Sequence, residues 1–380
     1  VEFLTAMGGH VWSFFGYLLP FLFVLGLVVF VHEMGHYLVG RWCGVGVDAF
    51  ALGFGPKLWG WTDSKGTEWK LCAVPLGGYV KFKGDLNGAS VPDNELIDSF
   101  SEEERRQAFQ FKPVWQRAAI VAAGPIANFL LALVIFSSTF MFIGRYVIDP
   151  VVDQVSAGSP AALAGIQSGD RIVSIDGEAI DSFEAIRRVI STANNGPVVI
   201  EIARQGRIQS VKAEPAVVEQ KTSLGIVRSR VLGISSSSLA EHHRLVKYGF
   251  FDSLSLSGHQ IVGLIKQSVN YLGGLVRGRE KADQLSGPIR IAQVSGKVAE
   301  SGIVSLLSLA ALLSISIGFI NLMPVPLLDG GHLMFYAFEA VFGRPLNRRA
   351  QEMLFRVGLT LVLLLMAFSV VNDIVQITKG

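Results

Sequence analysis

Charge is scarce in this chain. Asp, Glu, Lys and Arg make up 17% of its 380 residues, against 50% hydrophobic residues and a mean hydropathy of +0.45. That balance excludes an ordinary soluble domain and points to a polytopic membrane protein with a soluble part. Net charge is only +2, so there is no electrostatic footprint for nucleic acid. Cysteine is almost absent: Cys43 and Cys72 permit one disulfide at most and exclude a disulfide framework. Both fall in a segment placed in the cytoplasm below, where small buried thiols are the expected state. No Lys or Arg precedes Arg41. The first apolar run therefore lacks the basic stretch of a cleavable signal peptide and is read as a retained membrane segment.

Long apolar runs are what the chain has in quantity. Four are long enough to span a bilayer: 14–38, 118–143, 302–328 and 357–372, the last depending on Arg356 reaching to the interface. Lys and Arg crowd the 41–117 segment, and Arg344, Arg348 and Arg349 precede the fourth run. Both segments are expected on the cytoplasmic side. Both termini and the large 145–301 segment then lie outside.

His32-Glu33-Met34-Gly35-His36 closes the first run. On a helix this H-E-x-x-H spacing puts two imidazoles one turn apart on one face, fit to hold one Zn²⁺, with Glu33 placed to deprotonate a water. Such groups are costly beside lipid unless paired, and a metal would offset that. A catalytic zinc usually has three protein ligands, and Asp329 is the natural third. It ends the uncharged third run, within Asn321-Leu322-Met323-Pro324-Val325-Pro326-Leu327-Leu328-Asp329-Gly330-Gly331. The prolines break the helix there, which suits a cavity rather than lipid. A helix N-cap is the alternative role for Asp329; a two-histidine motif lacking a third ligand favours ligation. Asn321 is placed to donate to a tetrahedral oxyanion. His332 is read as a packing or supporting residue and Asn128 as a hydrogen bonder across helices. His10, His242, His243 and His259 are read as surface or structural residues.

The 67–82 stretch alternates and contains Pro75, Gly77 and Gly78, so it reads as short strands with a Gly-Gly turn or bulge. An unpaired edge over 71–80 would accept an extended substrate as an added strand; an ordinary cytoplasmic hairpin is the alternative. Glu102 to Arg106 reads as a solvated helix face. Outside, turn signals such as Gly158-Ser159-Pro160 and Ile175-Asp176-Gly177 separate short β-rich runs around 151–155, 198–202 and 211–213, with a helix near 183–191. This is a small α+β domain. Helical spacing of apolar residues over 255–276, interrupted by His259, Lys266 and Gln267, predicts an amphipathic surface helix rather than a fifth span.

These residues resemble the site-2 protease family of intramembrane zinc metalloproteases. The likeness is to the bacterial group that processes membrane-bound anti-sigma factors, in a form with a single PDZ domain. It covers nearly the whole chain. Residues 32–36 match the family's zinc motif and 321–330 its second motif. Phe54-Gly55-Pro56 and Pro75-Leu76-Gly77-Gly78-Tyr79-Val80-Lys81 resemble its membrane-associated hairpin. Ala123-Gly124-Pro125-Ile126-Ala127-Asn128 resembles its second-span signature, and 158–177 the bacterial PDZ pattern.

The resemblance implies one Zn²⁺ per chain on His32, His36 and Asp329, with Glu33 as general base and Asn321 positioning substrate or oxyanion. It implies substrate binding by Leu71, Pro75, Gly77, Gly78, Tyr79 and Asn321. It also implies single-span membrane-protein substrates in regulated intramembrane proteolysis, such as anti-sigma factors already trimmed by a first protease, or remnant signal peptides. A multi-pass place in the bacterial inner membrane follows, with the active site toward the cytoplasm and peptide or protein termini as PDZ ligands. Leu232-Gly233-Ile234 and the stretch before Val151 are candidates for that carboxylate-binding loop. Enterobacterial relatives with two PDZ domains differ from this chain and its single unit.

The expected fold is a polytopic α-helical membrane protein, with four transmembrane helices and a membrane-associated β-hairpin, plus a small α+β PDZ-like domain. The expected divisions are 1–40 (first transmembrane helix with the zinc motif), 41–114 (cytoplasmic-side loop with the hairpin) and 115–144 (second helix). They continue with 145–236 (extracytoplasmic domain), 237–301 (amphipathic linker), 302–340 (third helix with the Asp ligand) and 341–380 (cytoplasmic loop and fourth helix). The competing classes are a membrane-anchored PDZ scaffold with a structural metal and a metal transporter. A structural zinc wants four protein ligands, and a transporter wants more polar residues along its spans.

Overall fold

A computed structural model describes residues 2–86, 94–192, 196–222, 225–236, 242–278 and 287–379. The chain opens with α1 (Glu2–Trp42), β1 (Val47–Thr62), β2 (Glu68–Phe82), α2 (Asn94–Asp98), α3 (Glu102–Gln107) and α4 (Val114–Ser138). There follow β3 (Arg145–Ile148), β4 (Val152–Val155), α5 (Pro160–Leu163), β5 (Arg171–Ile175), β6 (Glu178–Ala179), α6 (Phe183–Thr192), β7 (Val198–Arg204) and β8 (Arg207–Ala213). The remainder is β9 (Ala216–Thr222), β10 (Gly225–Val231), β11 (Ile234–Ser236), β12 (His243–Val246), α7 (Phe250–Val276), α8 (Pro288–Glu300), α9 (Ile303–Asn321), α10 (Asp329–Phe342) and α11 (Arg348–Lys379). Two compact units result. One comprises Val1–Phe136, Leu256–Lys266 and Asp283–Gly380; the other comprises Ser137–Ser255 and Gln267–Ala282.

Among the described residues, four helical stretches are long and apolar enough to cross a membrane: Gly16–Trp42, Val114–Ile143, Ile303–Asn321 and Arg349–Val375. They coincide with the four expected runs, and α7 is not among them. The third differs in one respect. It ends at Asn321 rather than at 328, because Pro324 and Pro326 have no N–H to continue the ladder. Asp329 instead begins a separate helix, α10. The helical unit is closed by Val24 and Val28 of α1 packing on Leu306 and Ala310 of α9. Val357, Leu361, Leu364 and Leu365 of α11 remain exposed, as a lipid-facing surface would be.

β1 and β2 form a folded-over hairpin whose reversal is at 63–67, not at Gly77-Gly78. Ala49–Leu52 has partners on two sides: Phe50 faces both Val80 and Trp69. Leu71 likewise faces both Leu52 and Trp59. Leu71 is therefore not an edge residue, and the expected free edge narrows to Gly78 and the residues after it. β1 is not legible as a strand in the sequence because Gly53, Gly55, Pro56 and Gly60 interrupt its alternation. Toward the far end, Trp61 stacks on Trp69, and Leu58 and Trp59 are exposed. Glu102 to Arg106 forms α3, with a Ser101–Glu104 capping box and no buried residue, as a solvated face should.

Asp85 clamps the base of this hairpin. It is fully buried and accepts hydrogen bonds from Phe82 N–H and Gln110 Nε2, both at 3.2 Å. Burial pushes its carboxyl up to about 7, against the pull of those two donors and from an ordinary 3.8. The folded state thus holds a proton that the unfolded chain releases at lower pH. Stability from this group is complete below about pH 4 and is lost as pH rises through about 7. Thermal unfolding in detergent between pH 5 and pH 8 should show Tm falling with pH, and Asp85→Asn should flatten that slope. An unchanged slope in the variant would assign the pH dependence elsewhere.

A second buried carboxylate ties helices together. Asp373 of α11 accepts the N–H of Gly287 at 2.8 Å and of Arg290 at 3.0 Å, which satisfies orphan donors at the start of α8. Asp373→Ala is expected to cost about 1–3 kcal/mol. Hydrogen exchange at those two amides reads the loss directly; unchanged exchange would contradict it.

In the second unit, the sheet β6-β5-β7-β8 and α6 enclose Ile172, Ile175, Ile186, Ile200 and Ile202. Asp170, 1% exposed, is paired with Arg204 at 2.6 Å. β12 pairs with β3, so chain beyond 236 belongs to this unit, and the expected boundary at 236 falls too early. A four-residue strand, His243-Arg244-Leu245-Val246, is too short to show a period-two pattern.

Candidate metal centre

His32 and His36 lie one helical turn apart in α1, and both are buried. Asp329 is brought to them from the far end of the sequence as the first residue of α10. Leu328 is the N-cap there, so the capping role is not the one Asp329 takes. Leu327, just before it, has φ +97°, a region disfavoured for a residue with a β-carbon. Strain of this kind persists only where the surroundings hold it, and it sits two residues from the carboxylate.

The three side chains form a tight triangle. His32 Nε2 and His36 Nε2 are 3.2 Å apart, and Asp329 Oδ2 lies 3.2 Å from the first and 3.5 Å from the second. Asp329 Oδ2 is buried, and apart from these two ring nitrogens it has no hydrogen-bond partner among the described residues. Ligands on tetrahedral zinc at ordinary bond lengths stand about 3.3 Å apart. Two imidazole nitrogens and a carboxylate oxygen at these spacings therefore fit a zinc ion. Among the described residues, this is the group of His, Cys, Asp and Glu able to hold a metal; His242, His243, His259 and His332 do not join it. His10's side chain lies outside the described ones. His332 packs on the rings of Phe335, Tyr336 and Phe355.

Glu33 is buried beside the triangle. β2 passes directly against it at Gly78, where an added β-carbon would come 3.0 Å from Glu33 Cγ and 2.8 Å from Ala51 O. Only glycine lets the strand approach that closely. Gly77, at φ +108°, turns the chain just before, and Tyr79 stacks on Phe54. Pro75 is exposed on the approach to that bend. Gly78 and Tyr79 pair with Leu52 and Ala51, and no strand pairs their other edge among the described residues. Asn321, the last residue of α9, puts Nδ2 3.4 Å from His32 Nε2.

α4 supplies two residues that sequence reasoning misses, Ile120 and Gly124, and gives Asn128, read as a hydrogen bonder across helices, its partner in α1. His36 Nδ1 donates to Ile120 O at 2.9 Å. Gly124 leaves the space that the imidazoles occupy: a β-carbon there would collide with His36 Nε2 and lie 2.9 Å from His32 Cε1. The Asn128 amide lies 3.2 Å from His32 Nδ1. An Asn in an uncharged span, shortly after a Gly-Pro pair, is the signal that points there.

Comparison with known proteins agrees with this chemistry. The profile of peptidase family M50 matches residues 20–365. A candidate zinc metalloprotease of Agrobacterium fabrum is 48% identical over 360 residues, covering 94% of this chain and 96% of its own length. The metalloprotease MmpA of Caulobacter vibrioides is 41% identical over 380 residues, covering 94% and 95% respectively. Among solved structures, the PDZ domain of an SdrC-like protein of Listeria innocua matches 25% of this chain and 99% of its own. Its identity is 22% and its TM-score 0.20.

Proposed function

This chain belongs to peptidase family M50, the zinc metalloproteases, and we propose that it cuts single-span membrane proteins within their transmembrane segments. The observation that carries the proposal is the convergence of Asp329, at the start of α10, on His32 and His36 beside Glu33 in α1, a helix long and apolar enough to cross a bilayer. His32, His36 and Asp329 would hold the zinc. When bound, zinc supplies Lewis acidity, which makes water acidic enough to deprotonate near neutral pH and polarises a peptide carbonyl. Glu33 accepts the proton from the attacking water and returns it to the departing amide nitrogen. Asn321 donates its amide N–H to the oxygen that becomes negative as the carbonyl carbon turns tetrahedral.

A helical substrate keeps its carbonyls hydrogen-bonded and must unwind before attack. The edge at Gly78 and Tyr79 would take the unwound segment as an added strand, beside Glu33. Pro75 and Gly77 would shape that strand's path. Leu71 would contribute only its half-exposed side chain, since both its edges are paired. Outside, the PDZ-like domain would admit substrates already shortened by a first cut. Its cavity, lined by Phe183, Ile186 and Ile190 opposite Leu232, Gly233 and Ile234, suits a peptide terminus. The membrane would be the bacterial inner membrane, with both termini outside and the active site toward the cytoplasm. Anti-sigma factors in regulated proteolysis are the substrate class this arrangement suits.

A PDZ scaffold with a structural metal would want a fourth protein ligand, and a transporter more polar residues along its spans. Trimmed and untrimmed single-span substrates, each with and without a Gly or Pro within the span, separate these readings. Faster cleavage of the trimmed, helix-weakened form is the expected result. Equal rates for all four, or none cleaved while metal moves across vesicles, would overturn the proposal.

A further inference from the structure

Resting on the reading of His32, His36 and Asp329 as zinc ligands, we propose that Asn128 is a positioning residue. It fixes His32 in the tautomer that binds zinc, by accepting the Nδ1 hydrogen on its side-chain oxygen. Asn128 is fully buried in α4, within the uncharged stretch that follows Arg117, where an amide without partners is expensive. Its backbone is held: Ser314 Oγ donates to Asn128 O at 2.8 Å, and Gly318 of α9 closes in on its β-carbon.

The side-chain amide has two orientations that occupy the same space. In the first, Nδ2 stands 3.2 Å from His32 Nδ1, while Oδ1 is buried without a partner among the described residues. That orientation makes Nδ1 an acceptor and puts the ring hydrogen on Nε2. Nε2 is the atom facing His36 Nε2 and Asp329 Oδ2. A hydrogen there blocks ligation. Half a turn of the amide brings the oxygen to Nδ1, moves the ring hydrogen to Nδ1 and frees the Nε2 lone pair. His36 shows the same logic already settled, with Nδ1 donating to Ile120 O. Both histidines are thus oriented from α4, one by a carbonyl that cannot turn and one by an amide that can. Zinc ligation and the turned amide favour each other, so removing the amide weakens zinc binding.

The test is zinc affinity of the purified full chain in detergent, by competition with a chromogenic chelator, read beside the visible spectrum of the cobalt-substituted protein. Asn128→Leu fills the space without an acceptor and should weaken zinc roughly 10–100-fold and shift the cobalt bands. Asn128→Asp keeps an acceptor facing Nδ1 and should restore affinity to near wild type. Wild-type affinity in Asn128→Leu would overturn the inference. So would equal losses in both variants together with a lowered melting temperature, since that is a packing role. His32→Ala separates the two levels: if it binds zinc as wild type does, the ligand assignment itself fails. If it loses zinc while Asn128→Leu does not, only the role of Asn128 fails.

Discussion

Glu33→Gln is expected to lower cleavage by about 10²–10⁴-fold while zinc stays bound. The amide has nearly the carboxylate's shape, so Gly78, which lies too close to Glu33 Cγ to admit a β-carbon, need not shift. It has no basic lone pair, so it cannot take a proton from water. Glu33 is not one of the three convergent donors, so metal content should match wild type. Zinc content by metal analysis and single-turnover cleavage are read on the same preparation. Full activity in the variant would show that Glu33 is not the general base; zinc loss with activity loss would make it a ligand instead.

Gly124→Ala should be nearly as damaging, although alanine favours a helix by about 1 kcal/mol over glycine. The added methyl would collide with His36 Nε2 and come 2.9 Å from His32 Cε1. These are the metal-facing sides of both rings. The clash is relieved by turning the two rings aside or by moving α4 away from α1, and either displaces the nitrogens that face the metal or strains the His36–Ile120 hydrogen bond. The expected result is a stable, folded protein with zinc affinity down at least about 10-fold, the scale on which supporting partners tune a metal site. Cleavage should fall with it, and excess zinc should restore part of it. Normal zinc affinity in Gly124→Ala would show that the site opens more easily than its packing implies.

These two residues mark what the sequence makes legible. Glu33 and the two histidines can be read because a helix repeats every 3.6 residues, so a local spacing already defines a face. Asp329 can be read because a carboxylate at the end of an uncharged, proline-broken run demands a partner. The four membrane helices follow from composition and length alone. Gly124 and Ile120 are different, as is the identity of the partner that Asn128 bonds across helices. Their roles depend on how α1 and α4 are aligned against each other, and side-chain packing sets that alignment, not any pattern within either helix. The hairpin shows the same limit. Leu71 reads as an edge residue when 67–82 is considered alone. It is interior only because Ala49–Leu52 folds back to lie beside it. The break after Asn321 is legible as two prolines, yet hydropathy alone runs the span to 328. Hydropathy does not register the missing N–H groups.

The most direct test of intramembrane zinc proteolysis is mass spectrometry of products from a tagged single-span substrate incubated with the purified chain in detergent. It is run as purified, after chelation, and after zinc is returned. The predicted result is a cut inside the substrate's apolar span, lost on chelation and regained with zinc. A cut confined to residues outside the span, or one that persists without metal, would contradict it.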